Sequence, residues 1–364
     1  MINNTKLGNA KAAKNDEFYT QYEYIEKEMQ AYLEYNPDAF HDKIIFLPCD
    51  DPSKSNFTRY FAQNFQRFGL KELISTSYAP ESKRVKCGIM NDLFNPNIKT
   101  MPKEEKLHGK IFVLNRDKNG DGKIDINDLE GVLLKGDGDF RSDEVKAIRD
   151  KSDMIITNPP FSLFREFIAW IMEAGKKFSV IGNMNAITYK DVFHLIKENK
   201  IWIGATNFNV GMYFLVPNGF HYASTYKFAR EKDGHPVNRV PGVCWFTNIE
   251  HGRRHSPMRL MTMADNIKFS HHKEVKNKIY KKYDNYNALE VPYADAMPSD
   301  YKGIMGIPIS FMNRYCPEQF EILGMSASAG YDKDIVGIPF EGEKDARPLI
   351  DGKNKYARIF LRFK

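Results

Sequence analysis

No apolar run in this chain of 364 residues reaches the roughly 20 residues that a membrane-spanning helix needs. The opening residues 1–15 are polar and do not read as a signal peptide. Only four cysteines occur, Cys49, Cys87, Cys244 and Cys316, and neither pairing nor metal-ligand spacing links them. That excludes a disulfide framework and suits a reducing, cytoplasmic setting. No internal repeat and no low-complexity tract appears, so solenoids and extended linkers are excluded. The excess of one sign of charge is also small: 53 Lys and Arg against 47 Asp and Glu leave a formal net charge of +6, which permits a polyanionic partner without demanding one. What remains is a hydrophobic content of 42% and an aromatic content of 13%, the composition of an ordered globular protein. A chain this long can bury one large α/β domain and a smaller appendage.

Residues 1–15, with Lys6, Lys11 and Lys14, read as a flexible basic arm. From residue 16 to about 250, strands and helices alternate. Helices are expected near Tyr22, over 56–68, 143–151 and 162–174, and strands over 43–47, 72–76, 110–114, 131–135, 153–157 and 178–182. Further strands are expected over 201–204, 212–216 and 243–247. This rhythm predicts a doubly wound, mostly parallel sheet. Beyond 250 the rhythm stops. Residues 251–282 hold Arg253, Arg254, Arg259, Lys268, Lys273, Lys276, Lys278, Lys281 and Lys282, with four histidines among them. The last eighty or so residues, rich in Pro, Gly and Tyr, predict a small irregular domain.

The most informative residues are Asn158-Pro159-Pro160-Phe161. They follow a buried-type strand and precede an amphipathic helix, which places them at the carboxyl end of a strand, where open α/β sheets put their active sites. A reaction on an exocyclic amino group needs acceptors for two N–H bonds and a flat surface for the base. Asn158 offers a carboxamide oxygen, the two prolines stiffen the turn so that a backbone carbonyl can aim at the same nitrogen, and Phe161 offers a ring face. The competing reading is a strand-ending turn with Phe161 in the core.

After the first good strand comes Asp50-Asp51-Pro52, the place where such sheets hold an adenosyl or nucleotide cofactor. No glycine fingerprint is present. Ser53, Ser55 and Asn56 instead open the next helix, able to cap it and to leave its N–H groups for a carboxylate. S-adenosylmethionine carries a carboxylate and no pyrophosphate, so the missing glycines are tolerable. The segment 16–20, Asp-Glu-Phe-Tyr-Thr, can pack at the sheet edge near that place, or serve simply as core. In Gly136-Asp137-Gly138-Asp139-Phe140-Arg141-Ser142, Asp139 could accept an adenine amine while Phe140 covers its edge; the competing reading is a plain Asp/Gly turn.

Asp117, Asn119, Asp121, Asp125 and Asp128 match the spacing of a calcium loop, Gly122 included, although the twelfth position is Asp and the preceding segment reads as strand. A hairpin connection is favoured over bound Ca²⁺. The basic stretch 251–282 could line a DNA groove or be a solvated face. His271-His272 has no metal partner at ligand spacing in the sequence.

Taken in order, DEFYTQ (16–21), CDDPSKSNFTRYF (49–61), GDGDFRS (136–142), TNPPFSLFREF (157–167) and the run 177–204 resemble the EcoRI-type adenine-specific DNA methyltransferases. The resemblance covers residues 10–250 well and the rest loosely. It implies a seven-stranded methyltransferase sheet, S-adenosylmethionine as donor and the N6 amine of a flipped adenine in duplex DNA as acceptor. On these positions it implies Asn158, Pro159, Pro160 and Phe161 as the catalytic motif. It implies Phe18, Tyr19, Thr20, Asp50, Asp51, Pro52, Ser55, Asn56, Phe57, Asp139, Phe140 and Asn158 as cofactor-binding. Asp50 to Asn56 departs from the family's usual D-P-F-x-G-x-G, and Ser75-Thr76-Ser77-Tyr78 stands where an acidic ribose ligand is usual. Residues 251–364 are then the DNA-recognition region, with Arg253, Arg254, Arg259, Lys273, Lys276 and Lys278 on DNA, and a cognate restriction endonuclease is a conceivable partner. The rival readings are an amino-methyltransferase acting on an RNA base or protein glutamine, and a non-catalytic DNA-binding module.

Overall fold

The structure is a computed structural model that describes residues 19–79, 107–206, 208–215, 229–232, 235–326 and 347–364. The expected basic arm (1–15) and Phe18 lie outside the described residues. The chain divides into two compact units, Met1–Asn183 with Thr206–Ile249, and Met184–Ala205 with Glu250–Lys364.

In the first unit the chain runs β1 (Tyr19–Thr20), α1 (Tyr22–Tyr35), β2 (Ile44–Leu47), α2 (Asn56–Gln63), α3 (Phe65–Phe68) and β3 (Glu72–Ser77). It continues through β4 (Lys110–Leu114), β5 (Glu130–Leu133), α4 (Asp143–Lys151), β6 (Met154–Thr157), α5 (Phe164–Glu173) and β7 (Lys177–Asn183). The second unit contributes α6 (Lys190–Lys197) and the short β8 (Trp202–Ile203). The first unit resumes with β9 (Met212–Leu215), β10 (Ala229–Lys232), β11 (His235–Val240) and β12 (Val243–Thr247).

Within the first unit the large sheet has the order β5-β4-β3-β2-β6-β7-β12. Its centre is parallel, β3 on β2, β2 on β6 and β6 on β7, as the strand–helix alternation predicts. Both flanks are antiparallel, β4 against β3 and β12 against β7. The central strands β2 and β6 are buried at every position, which is why their sequences, Ile-Ile-Phe-Leu and Met-Ile-Ile-Thr, do not alternate. A second sheet, β1-β9-β11-β10, includes a hairpin that the sequence does not announce.

The helix expected over 56–68 is two pieces. At Asn64 the side-chain amide donates to the Tyr60 carbonyl (2.9 Å), competing with the helical ladder, and Asn64 leaves the helical region at φ −102°, ψ 9°. The break lets Phe61 and Phe68 both reach Phe40, with ring centroids 5.7 and 5.5 Å away.

The second unit is more ordered than the Pro- and Gly-rich sequence suggests. Besides α7 (Met263–Phe269) it contains β13 (Leu289–Glu290), β14 (Met305–Pro308), β15 (Phe320–Met325) and β18 (Arg358–Phe363), in a sheet of order β13-β14-β18-β15. A small hairpin pairs β16 (Leu349–Ile350) with β17 (Lys353–Asn354). Among the described residues, β13, β14 and β15 are joined by 3₁₀ turns and loops rather than helices, so no strand–helix rhythm shows there in the sequence. Buried Arg358 grips Glu290 through Nε (3.1 Å) and Nη2 (2.8 Å), and the Tyr283 hydroxyl donates to the same carboxylate. Residues 184–205 cluster with this unit rather than with the chain on either side of them. Among the described residues no helix is long and apolar enough to cross a membrane.

Candidate active site

Three adjacent parallel strands, β3, β2 and β6, release their chains at the same edge, and a cleft opens there. It encloses about 620 Å³, part of it open to solvent, and is lined by Thr20, Cys49, Asp50, Asp51, Ser55, Asn56, Phe57, Tyr78, Asn158 and Pro160. β2 supplies Cys49 to Asp51, β3 supplies Tyr78 and β6 supplies Asn158. α2 presents its amino end: the Ser55 hydroxyl caps it, accepting from the N–H of Phe57 (3.0 Å) and Thr58 (3.4 Å). The Asn56 side chain donates to the Thr20 carbonyl (2.8 Å), fixing β1 to that helix start.

Asp51 shapes the turn. Its carboxylate accepts from the Ser53 N–H (2.9 Å) and hydroxyl (2.6 Å), and its carbonyl accepts from the Ser55 N–H (2.7 Å). Pro52 lies within this turn and does not line the cleft.

Asp50 joins the two chemically important segments. Its buried carboxyl lies 2.6 Å from the Ser55 hydroxyl and 2.6 Å from the Thr157 hydroxyl, one residue before Asn158. The Thr157 hydroxyl is also 2.8 Å from the Pro48 carbonyl. One hydroxyl proton cannot serve two acceptors at once. A neutral Asp50 resolves the conflict, donating to Thr157 while Thr157 donates to Pro48. Burial points the same way, pushing the carboxyl up to about 7 against the lowering hydrogen bonds of Ser55 and Thr157.

Because the folded carboxyl holds its proton far more tightly than the unfolded one, its contribution to stability is complete below about pH 4 and is lost as pH rises to about 7. Wild type should therefore lose a few kcal/mol relative to Asp50→Asn between those limits, levelling off above. Denaturant unfolding of both proteins across pH 4.5–8 measures it; a constant difference would contradict a neutral Asp50.

The remaining sequence candidates are placed as follows. Pro159 is buried, and Phe161 is partly buried and packs against the main core cluster; neither lines the cleft. Tyr19 pairs with Leu215 in the second sheet. Asp139 and Phe140 are not cleft residues. Asp139 is bound to Arg141 (Oδ1 to Nε 3.1 Å, Oδ2 to Nη2 3.2 Å), and Phe140 is fully buried against Phe167 and Trp170. Their loop serves the cleft indirectly. A Cβ on Gly138, at φ +84°, would stand 2.4 Å from the Ser77 carbonyl, and Ala79 N–H donates to the Asp137 carbonyl (2.8 Å), so the loop braces both sides of Tyr78. Cys49 and Tyr78 are cleft residues to which the sequence reading gave no role, although Cys49 heads the 49–61 motif and Tyr78 ends the segment where a ribose ligand is usual. Their signal was position alone, each at the carboxyl end of a central strand.

Asp117 to Asp128 lie between the antiparallel β4 and β5, so the segment is the connection of a hairpin. Its side chains hold backbone N–H groups: Asp117 takes Gly120 (2.6 Å) and Gly122 (2.8 Å), Asn119 takes Asp121 (2.9 Å), and Asp125 takes Asn127 (2.8 Å). Asp128 accepts from the N–H of Lys118, Asn119 and Asp125, and these bonds hold its carboxyl below the usual range.

Of the basic residues in the second unit, Arg259, Lys273, Lys276 and Lys278 are exposed. Arg253 is exposed and donates to the Ala205 carbonyl (2.7 Å). Arg254 is turned inward: it is buried, its guanidinium lies 4.0 Å from the Trp202 ring centroid, and Nη2 donates to Asn199 (3.0 Å).

A polar and aromatic cleft at the carboxyl ends of adjacent parallel strands defines the class of α/β proteins that bind adenosyl or nucleotide ligands. Within that class the chain belongs to the family of the adenine-specific methyltransferase EcoRI, whose family model matches residues 6–364. It is 38% identical over 362 residues to the type II methyltransferase M.EcoRI of Escherichia coli, covering 99% of this chain and 97% of the relative. It is 32% identical over 358 residues to the type II methyltransferase M.MpnI of Mycoplasma pneumoniae, covering 97% and 96%. No solved structure matches.

Proposed function

We propose that this chain transfers the methyl group of S-adenosylmethionine to the N6 amine of an adenine flipped out of duplex DNA, and that the cleft of Asp50, Tyr78 and Asn158 is where it does so. The observation that carries the reading is the meeting of those three residues, from three adjacent parallel strands, in one cleft. The cleft fits the donor. The Thr20 hydroxyl is buried in its wall with no hydrogen-bond partner among the described residues, the capped start of α2 suits a carboxylate, and the rings of Phe57 and Tyr78 suit an adenine. When bound, the sulfonium supplies an electrophilic methyl carbon.

The chain's own part is to hold and localise. Adenine N6 is a poor nucleophile because its lone pair is delocalised into the ring. The Asn158 side-chain oxygen and the Pro159 carbonyl accept its two hydrogens, drawing the nitrogen toward tetrahedral geometry and freeing the pair; the part of the Phe161 ring that the core leaves uncovered supports the base. No covalent intermediate is needed, so the catalysis is positioning and electrostatics. Flipping costs a few kcal/mol, and stacking returns about 1–3 kcal/mol of it. Asp50 positions Asn158 through Thr157, and an ionisable carboxyl there can offset a cation entering the cleft.

The second unit supplies the DNA face, through Arg253, Arg259, Lys273, Lys276 and Lys278, with exposed Phe269 and Ile279 among them. Arg254 is left out because it is committed to packing. Changing Lys273, Lys276 and Lys278 together to Gln should reduce the salt slope of duplex binding by about one for each phosphate no longer neutralised, and leave donor binding unchanged. An unaltered slope would remove these lysines from the interface. Methylation of a random duplex library, read by modification-sensitive sequencing beside RNA and protein acceptors, tests the whole reading; labelled methyl on RNA or protein alone would refute it.

A further inference from the structure

The turn after α7 brings together two imidazoles and a carboxylate that are distant in sequence. His271 and His272 follow Ser270, which closes the helix, and Asp295 sits in the 3₁₀ turn Ala294–Ala296. His272 Nε2 lies 2.8 Å from Asp295 Oδ1, and His271 Nε2 lies 3.8 Å from Asp295 Oδ2. All three ligand atoms fall within 4.8 Å of one another, and among the described residues no other trio of His, Cys, Asp or Glu does so. The site is supported from behind. The His272 ring stacks on Tyr293, centroids 3.7 Å apart and planes within 3°, and the Tyr293 hydroxyl donates to Glu274 (3.0 Å). The two imidazoles lie against each other, centroids 3.8 Å apart and tilted by 42°.

We propose that His271, His272 and Asp295 bind a divalent ion of the zinc class (Zn²⁺, Co²⁺ or Ni²⁺), leaving its remaining positions to water. Two imidazole nitrogens and one carboxylate oxygen are the donors such ions favour, whereas Ca²⁺ and Mg²⁺ demand mostly oxygen. Ligands about 2.1 Å from an ion stand about 3.0 Å apart at right angles and about 3.4 Å apart at tetrahedral angles. His272 Nε2 approaches one Asp295 oxygen and His271 Nε2 the other, and one ligand atom of each residue lies within 4.8 Å of the other two, so side-chain rotations that draw them together around the ion complete the site. His271 is 77% exposed and Asp295 55%, which leaves the ion a path in. Once bound, it ties the turn carrying Lys273 to the 293–296 turn and adds two positive charges beside that lysine. The site stands independently of the reaction proposed above.

The full-length protein, stripped with a chelator, is titrated with Zn²⁺ by calorimetry and with Co²⁺ by visible absorption. One ion per chain is expected. His271→Ala and Asp295→Asn, both at exposed positions, should each weaken it by more than about tenfold, a loss that even outer partners of a ligand produce, while metal-free thermal unfolding stays as in wild type. Wild-type binding no tighter than about millimolar, or binding by either variant as tight as wild type, would overturn the site and leave the His272–Asp295 contact as an ordinary surface pair.

Discussion

Asn158→Ala is expected to lower methyl transfer by about 10²–10³-fold or more, while affinity for the specific duplex stays near wild type. The reason is the division of labour along the chain. Asn158 stands at the end of buried β6, lining the cleft, with its neighbour Thr157 anchored to Pro48 and Asp50. In the proposed reaction its amide oxygen acts on a single nitrogen, at the moment charge develops there, so its loss falls on the chemical step. Phosphate contacts, which set most of the duplex affinity, come from other residues. Labelled-methyl turnover and duplex binding, measured on the same preparation, separate the two. An equal fall in both would mean that Asn158 holds the fold or the DNA rather than the amine.

Phe140→Ala is expected to destabilise the first unit by about 3–5 kcal/mol. The ring is wholly buried, with centroids 5.2 Å from Phe167 and 5.5 Å from Trp170, and the Arg141 guanidinium lies over it, 5.2 Å from its centroid. Removing it leaves a cavity between α5 and the loop that braces Tyr78, so part of the cost should appear as a looser cleft wall. Denaturant unfolding measures the loss. Unchanged stability with impaired capture of a fluorescent base analogue would instead restore the sequence-based expectation, in which Phe140 covers the edge of an adenine.

That contrast shows where local sequence stops being informative. That Asn158, Asp50 and Ser55 meet in one cleft was legible because each sits just past a continuous apolar run or at a helix start, and those positions are dictated over a few residues. Phe140 was not, since an aromatic in a Gly/Asp loop looks the same whether it faces a ligand or Trp170. Arg254 fails for a related reason. It lies in a run of exposed cations, and only the fold brings Trp202, Asn199 and Tyr315 around it. The break at Asn64 accompanies a local side-chain hydrogen bond, which periodicity does not register. His271 and His272 lack a partner in their own segment because Asp295 arrives from another turn. The sheet of the second unit was hidden in part because β13, β14 and β15 are linked by 3₁₀ turns and loops, although β15 and β18 are individually strand-like.

The most direct measurement is a crystal structure of the protein with a non-reactive donor analogue and a duplex containing the methylation site. The account predicts the analogue between Thr20, Asp50, Phe57 and Tyr78, and an extruded adenine whose amine lies about 3 Å from the Asn158 side-chain oxygen. A donor bound elsewhere, or an adenine amine held by other groups with Asn158 turned away, would contradict it.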